Sequence, residues 1–347
     1  MTMTKIIQVK DDLSVIDEAA ALLAQGGLVA FPTETVYGLG ANVLDEEAVR
    51  RIFQAKGRPQ DNPLIVHVCN REMLCRVVKE IPQKADALIR AFWPGPLTII
   101  LEKSNWIPVS VTAGLATVAV RMPSHPAALR LIEKSGVPIA APSANISGTP
   151  STTRAAHVIA DLTGKVDYII DGGMCQVGLE STVIDLTGEE PQILRPGGVS
   201  FEELQEVLGK VAYEPALQDS RQVPKSPGMK YRHYAPKAEL MLVEPKQRES
   251  IPTIFAEKKT LGKKTGLLCC SDETYQADVV INCGSSAAIY AQRLFDSLRR
   301  MDEEGVDFIL AELPEDEGGI VPALKNRMLK AAGGRIVNCT DIQTKHI

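Results

Sequence analysis

The chain has 347 residues, 45% of them hydrophobic, with 38 basic against 43 acidic side chains and a net charge of -5. That length exceeds one ordinary domain and predicts two of unequal size. The charge balance argues against a general nucleic-acid coat protein, although a local basic pocket would not register in the sum.

The start, MTMTKIIQVKDD, has no apolar leader core, and no stretch approaches ~18 apolar residues, so neither secretion nor membrane spanning is expected and the cytoplasm is the expected location. Ser14-Val-Ile-Asp17 reads as a capping box for a helix that carries Ile16, Ala20 and Leu23 on one face and stops at Gly26-Gly27. The run LVAF then leads into FPTETVYGLGA (31–41), where two threonines, a glutamate and a tyrosine precede Gly38-Leu-Gly40. Polar groups at a strand end usually face a ligand. Asp45 is placed to cap EEAVRRIFQAK, whose Val49, Ile52 and Phe53 point inward and whose end is marked by Gly57. Strand candidates follow at LIVHV (64–68), LTIIL (97–101), TVAVRM (117–122), VPIAAP (137–142), YIID (168–171), STVIDL (181–186) and QILR (192–195). Ser200-Phe-Glu-Glu203 opens a further helix, closed by Gly209. Strands outnumber helices at irregular spacing, which predicts a mixed α/β sheet rather than a regular βαβ array.

Residues 210–237 lack periodicity, hold four prolines and run too long for an ordinary loop inside a domain, so they read as a linker. A second rhythm starts at Ala238: strand ELMLVE, helix, strands TGLLCC and DVVINC, the long helix SAAIYAQRLFDSLRRMDEEG, strand VDFILAEL and helix VPALKNRMLKAAGG. Tyr290, Leu294, Leu298 and Met301 give the long helix one apolar face, and 238–347 is expected to be a small parallel α/β, Rossmann-like domain.

Absences narrow the chemistry. There is no Gly-x4-Gly-Lys-Ser/Thr phosphate loop, no Gly-x-Ser-x-Gly elbow, no His-Glu-x-x-His and no complete Gly-x-Gly-x-x-Gly. Seven cysteines without a Cys-x-x-Cys pair read as reduced packing thiols, and five scattered histidines give a structural zinc site no support. A phosphate compound would therefore be met by side chains. Lys56-Gly-Arg58-Pro, Arg121 and Arg195 each stand where an apolar element meets a Gly/Pro turn, and Lys230 and Arg232 lie in the linker. One such arginine is by default a solvated surface charge. Three junctions of this kind point to an anion site. Ser143 and Asn145 fall two apart in a turn, Ser151 follows a proline, and Glu180-Ser181-Thr182 enters a strand, all positions that also suit turn and cap chemistry. His67, inside LIVHV with no carboxylate beside it, reads from its own surroundings as a core histidine.

Taken in order, PTETVYGLG, KGRPQDNPLIVHV, WPGPLTIIL, TVAVRMPSHP, PIAAPSANISG, ESTVIDL, ILRPGG and SPGMKYRHYAP resemble the long form of the YrdC-like threonylcarbamoyl-AMP synthases, from about residue 12 to the C-terminus. The resemblance implies a nucleotidyltransferase that makes threonylcarbamoyl-AMP and pyrophosphate from L-threonine, bicarbonate or CO2, and ATP. The product serves N6-threonylcarbamoyladenosine formation beside the tRNA anticodon. It implies a catalytic domain at 1–209 whose twisted mixed sheet surrounds a positively lined cavity, a lid at 210–237, and the Rossmann-like domain at 238–347. Lys56, Arg58, Ser143 and Asn145 become the implied triphosphate and carbamate grip. Asn62, Thr117, Ser151, Arg195 and Tyr231 become further ATP contacts. Thr35, His67, Arg121, Ser181 and the backbone at Ala141 become the threonine pocket, with Arg121 on the amino-acid carboxylate. Alternation in an extended run would let Thr33 or Thr35 face the ligand. Mg²⁺ would arrive with ATP, held mainly by its phosphates, and the product would pass to the tRNA threonylcarbamoyl transferase complex. No membrane partner is implied, and direct tRNA contact stays open. The competing reading is an RNA-binding translation or ribosome-maturation factor using the same cavity. It expects aromatics interleaved with the basic residues, and aromatics are only 5% of the chain.

Overall fold

In a computed structural model of the chain, the described residues are 3–10, 12–215, 233–270 and 275–337. They form two compact units, one within Met1–Ser147 and Ser151–Tyr231, the other within Gly148–Pro150 and Arg232–Ile347. Among the described residues no helix is long and apolar enough to cross a membrane.

The first unit is built on β1 (Lys5–Gln8), β2 (Val29–Phe31), β3 (Gly38–Asn42), β4 (Ile65–His67), β5 (Leu97–Glu102), β6 (Thr117–Arg121), β7 (Ile139–Ala141), β8 (Tyr168–Asp171), β9 (Thr182–Asp185), β10 (Gln192–Arg195) and β11 (Ala212–Tyr213). These run in the order β1-β8-β2-β3-β7-β4-β6-β5-β9-β10-β11. Parallel and antiparallel neighbours alternate irregularly: β4 is parallel to β6 and antiparallel to β7, while β5 is antiparallel to β6 and parallel to β9. The sheet is the mixed one expected. Its central strands are buried on both faces, which is why VAF, IAA and TIIL read as continuous apolar runs.

Four local expectations need correcting. Asp12, not Ser14, starts the first helical segment, because its carboxylate accepts from both the amide and the hydroxyl of Ser14 at 2.8 Å before any capping box can form. PTETVYG is no extended run: β2 and β3 pair antiparallel, and residues 32–37 form the loop of that hairpin. Gly38 and Gly40 lie inside β3 rather than in a turn. A Cβ on Gly40 would sit 2.7 Å from Ile139 and 2.9 Å from the Phe31 ring, so close packing excludes a side chain there. Lastly, β11 lies within the stretch read as linker and pairs parallel with β10. The helices Arg71–Val77, Gln83–Phe92 and Pro126–Ser135 were also not foreseen from the pattern.

Register places the site. His67 on β4 is opposite Arg121 on β6, and Arg121 is opposite Thr98 on β5. Thr98 in turn faces Val183 on β9, and Val183 faces Arg195 on β10 across a register shift. Residues opposed across neighbouring strands project to the same face, so His67, Arg121 and Thr98 stand side by side.

The second unit is the separate parallel-strand domain expected: β12 (Glu239–Val243), β13 (Thr265–Cys269), β14 (Val279–Asn282) and β15 (Phe308–Glu312), in the order β12-β15-β13-β14. All three pairings are parallel. The helix Ala287–Glu303 buries Tyr290, Leu294, Leu298 and Met301, the face its periodicity marks. The short segment Gly148–Pro150 also belongs to this unit, where Arg299 donates through Nε (3.1 Å) and Nη2 (2.6 Å) to the Pro150 carbonyl.

Candidate active site

Lys56 is the last residue of the helix Glu46–Lys56. Asp45 caps that helix by accepting from the Glu47 and Ala48 amides at 3.0 Å, and Gly57 ends it in the left-handed conformation (φ 62°). The sharp stop leaves the lysine pointing inward, only 1% exposed. Its ammonium donates to the Ser143 carbonyl at 2.6 Å and to the Asn145 carbonyl. Ser143 donates its hydroxyl to Asn145 Oδ1 at 2.5 Å, and the Asn145 amide donates to the Ile146 carbonyl at 2.7 Å. Lys56, Ser143 and Asn145, 87 or more positions apart across the first gap, therefore form one cluster. Arg58 is turned onto its own loop, its Nη2 reaching the Asn62 and Pro63 carbonyls at 3.4 and 3.3 Å. Asn62 is itself buried.

A second cluster centres on Arg121. Its Nη2 lies 2.7 Å from Glu34 Oε1, with both side chains 5% exposed. Nη1 donates to Thr35 Oγ1 at 2.8 Å and Nε to the Gly95 carbonyl at 3.3 Å. The other Glu34 oxygen accepts from the Ser124 amide at 3.0 Å. Burial by itself pushes the Glu34 carboxyl up, but the Arg121 charge and hydrogen bond overcome it and hold the group below its usual range. Thr33 and Thr35 divide the work. The Thr33 hydroxyl donates to the Val36 carbonyl at 2.6 Å and so closes the hairpin loop, whereas Thr35 is the one that meets Arg121.

A third cluster joins Arg195, Ser181 and Thr98. Arg195 clamps the Ser181 carbonyl with Nε (3.1 Å) and Nη2 (2.9 Å), and Nη2 also reaches the Ser181 hydroxyl at 3.2 Å. That hydroxyl shares a 2.7 Å hydrogen bond with Thr98 Oγ1. Ser151 donates to Glu180 Oε1 at 2.6 Å. Since Glu180 and Ser181 are consecutive, these contacts are continuous. Thr98 was not picked out from the sequence, and Glu180 was noted only as the neighbour of Ser181, without a site role of its own. The one hydroxyl in the apolar run LTIIL was the available sign for Thr98. Thr117 opens β6 while Arg121 closes it, about 13 Å away at strand rise. Ala141 is buried at the end of β7 opposite Ile65, with its side chain offering no polar group. Tyr231, and with it Lys230 and Arg232, lies outside the described residues.

His67 is buried against the edge of Phe31, ring centroids 5.9 Å apart, with Nδ1 3.2 Å from the Ile65 carbonyl. Burial and the neighbouring Arg121 charge push its pKa down to about 3. The imidazole is thus neutral at physiological pH, adding no charge beside the guanidinium. Its folded pKa is depressed, so between pH 6.5 and 3 the unfolded chain binds the extra proton and stability falls as pH drops. The limiting slope is about 1.4 kcal/mol per pH unit. The His67 ring shifts in NMR should stay constant from pH 8 to 5, and a titration near 6.5 would refute the buried neutral state. Burial likewise raises the Cys175 thiol to about 12, in keeping with a packing role.

Residues 21–197 match the Sua5/YciO/YrdC family profile, described as telomere recombination, and residues 199–333 match that of the threonylcarbamoyl-AMP synthase C-terminal domain. The chain belongs to the Sua5/YrdC family. Two relatives named threonylcarbamoyl-AMP synthase span it almost completely. That of Pyrococcus abyssi is 52% identical over 341 residues, 96% of this chain and 99% of its own. That of Bacillus subtilis is 48% identical over 340 residues, 95% and 98% respectively. A solved structure described as P. abyssi Sua5 complexed with L-threonine superimposes with a TM-score of 0.91 at 51% identity, covering 97% of this chain and 99% of that one. In this Sua5 chain the helix Phe201–Leu208 and β11 fall inside the second profile yet belong to the first compact unit.

Proposed function

We propose that this Sua5/YrdC-family chain is an L-threonylcarbamoyladenylate synthase. It converts L-threonine, bicarbonate or CO2, and ATP into threonylcarbamoyl-AMP and pyrophosphate, for N6-threonylcarbamoyladenosine modification of tRNA. The observation that carries the reading is the buried Arg121–Glu34–Thr35 cluster with neutral His67 beside it, in a chain 51% identical to one described with L-threonine bound.

The threonine amine attacks CO2, forming the N–C bond and releasing a proton, and leaves a carbamate. A carbamate oxygen then attacks the α-phosphorus of ATP, the bond to the bridging β-phosphate oxygen breaks, and pyrophosphate departs with the electron pair. Arg121 and Thr35 hold the amino acid, Arg121 on its carboxylate. Arg195 fixes Ser181 and with it the chain that carries Glu180. Lys56, Arg58, Ser143 and Asn145 line the phosphate path, Asn62 and Ser151 support the nucleotide, and no covalent nucleophile on the protein is needed. Mg²⁺ enters as part of the nucleotide substrate. Among the described residues no three His, Cys, Asp or Glu side chains gather around a common point, and magnesium bound through phosphates requires no such cage.

In this reading the enzyme is a cytoplasmic nucleotidyltransferase whose product passes to the tRNA threonylcarbamoyl transferase complex. The catalytic part spans residues 1–209, apart from Gly148–Pro150, together with β11, and 238–347 is an accessory domain; the lid expected within 210–237 falls largely on residues 216–232, which lie outside the described residues. Pyrophosphate release by the purified chain is expected only when ATP, threonine and bicarbonate are all present. RNA binding without such turnover would replace this reading with that of a translation factor.

A further inference from the structure

Strand β5 buries one hydroxyl. Thr98 is 0% exposed in a run otherwise made of leucine and isoleucine, and among the described residues its Oγ1 bonds to one group, the Ser181 hydroxyl at 2.7 Å. Packing does not ask for that oxygen, since valine has the same branched shape and suits a strand as well. We infer that Thr98 is a positioning residue for the amino-acid substrate: it donates to Ser181 and so turns the serine's own proton toward an oxygen of the bound amino acid. The inference rests on the reading of Ser181 as part of the threonine pocket.

Proton counting gives the direction. Arg195 Nη2 reaches the Ser181 hydroxyl at 3.2 Å while Nε and Nη2 clamp the carbonyl of the same residue. A guanidinium only donates, so it fills one acceptor position of the serine oxygen and takes no proton from it. The two hydroxyls carry two protons and share one hydrogen bond, which leaves one proton for a further acceptor. If it stayed on Thr98 it would meet poor company. Thr98 is opposite Arg121 on β6 and opposite Val183 on β9, so its neighbours on that face are a second guanidinium and an apolar side chain. Neither accepts a hydrogen bond. Donation from Thr98 to Ser181 instead places the surplus proton on the serine, just ahead of β9.

The same face explains why the acceptor is the amino acid. Arg121, one strand from Thr98, holds Thr35 at 2.8 Å in the cluster read as gripping that substrate. An oxygen of the amino acid brought to Arg121 would complete a chain from Thr98 through Ser181 to substrate, in which each donated bond polarises the next. Thr98 thereby ties the Arg121 cluster to the Arg195 cluster without touching the reacting atoms.

The test is calorimetric titration of the full chain in bicarbonate-free buffer, with L-threonine and ATP added separately. Thr98→Val keeps the shape and removes the hydroxyl, so threonine affinity should fall about three- to tenfold, the worth of one hydrogen bond, with ATP affinity held within about twofold. Thr98→Ser returns the hydroxyl and should bind threonine as the parent does. On a Ser181→Ala background Thr98→Val should add no further loss, because Thr98 acts through the serine. Parental threonine affinity in Thr98→Val, or an equal loss in Thr98→Ser, would overturn the role. So would a Thr98→Val chain that loses ATP as much as threonine, the mark of general damage to the sheet, or one that multiplies the Ser181→Ala loss. A parent that binds no threonine overturns the inference together with the pocket. A parent that binds threonine yet releases no pyrophosphate with ATP and bicarbonate removes the catalytic reading alone, and the affinities still decide Thr98.

Discussion

Replacing Arg121 with methionine is expected to destabilise the first unit by about 3–5 kcal/mol and to remove threonine-dependent turnover. The guanidinium and Glu34 are 2.7 Å apart and each 5% exposed, so the substitution strands a buried carboxylate with only backbone amides, its own and that of Ser124, still beside it. The sign of the pH dependence should invert. In the parent the Glu34 carboxyl is held below its usual value, so its contribution is present above the unfolded pKa and is lost as pH falls through the folded one. Without the cation, burial dominates and the folded pKa rises above the unfolded value. The variant then keeps its stability at low pH and loses it as pH rises through the carboxylate range. Adding Glu34→Gln should recover most of the stability, because no uncompensated charge is left, yet should restore no activity. Both tryptophans, Trp93 and Trp106, lie in the first unit, so their fluorescence during urea unfolding reports it selectively. A single-variant cost under 1 kcal/mol that is flat with pH would refute the pair as drawn.

The parts of this site that were legible in advance are those written in local code. Asp45, Gly57 and the apolar stripe between them forecast a helix ending on Lys56, and Ser200 with Glu203 forms the capping box read from their spacing. Runs such as YIID and QILR coincide with β8 and β10, because strands buried on both faces need no alternation to be recognised. Partnerships were not legible. Arg121 and Thr35 are 86 positions apart, and Ser181 and Thr98 are 83 apart. Only the strand order makes them neighbours. The Ser14 misreading has the same local character as the successes: Asp12 offers a carboxylate two residues earlier and wins the Ser14 amide. Thr33 and Thr35 could not be ranked while PTETVYG was taken as extended, since only the hairpin loop separates the hydroxyl that closes the turn from the one that meets Arg121. The motifs that carried the family resemblance did so through their order along the chain, which periodicity does not encode.

Lys56→Met should lower the rate of pyrophosphate formation at saturating threonine and bicarbonate by about 10²–10³, the usual loss when one preorganised donor to a developing charge is removed. The ammonium does more than offer charge. It holds the Ser143 and Asn145 carbonyls, while the Ser147 amide donates at 2.9 Å to the Lys56 carbonyl, so the lysine pins that turn from both ends of its own residue. Ser143 in turn orients Asn145 through the bond to Oδ1. If the lysine positions the turn as well as neutralising phosphate, its loss already disorders Ser143. The double variant Lys56→Met/Ser143→Ala should then be no slower than Lys56→Met alone, although Ser143→Ala by itself reduces the rate. Independent contributions would multiply instead. Single-turnover pyrophosphate release by the four proteins closes the cycle, and multiplicative losses would leave Lys56 a charge contact without a positioning role. Lys56→Arg sharpens the distinction: its charge is kept, but a planar fork in a fully buried slot cannot reproduce the ammonium's two carbonyl contacts. It should behave like the methionine variant rather than like the parent.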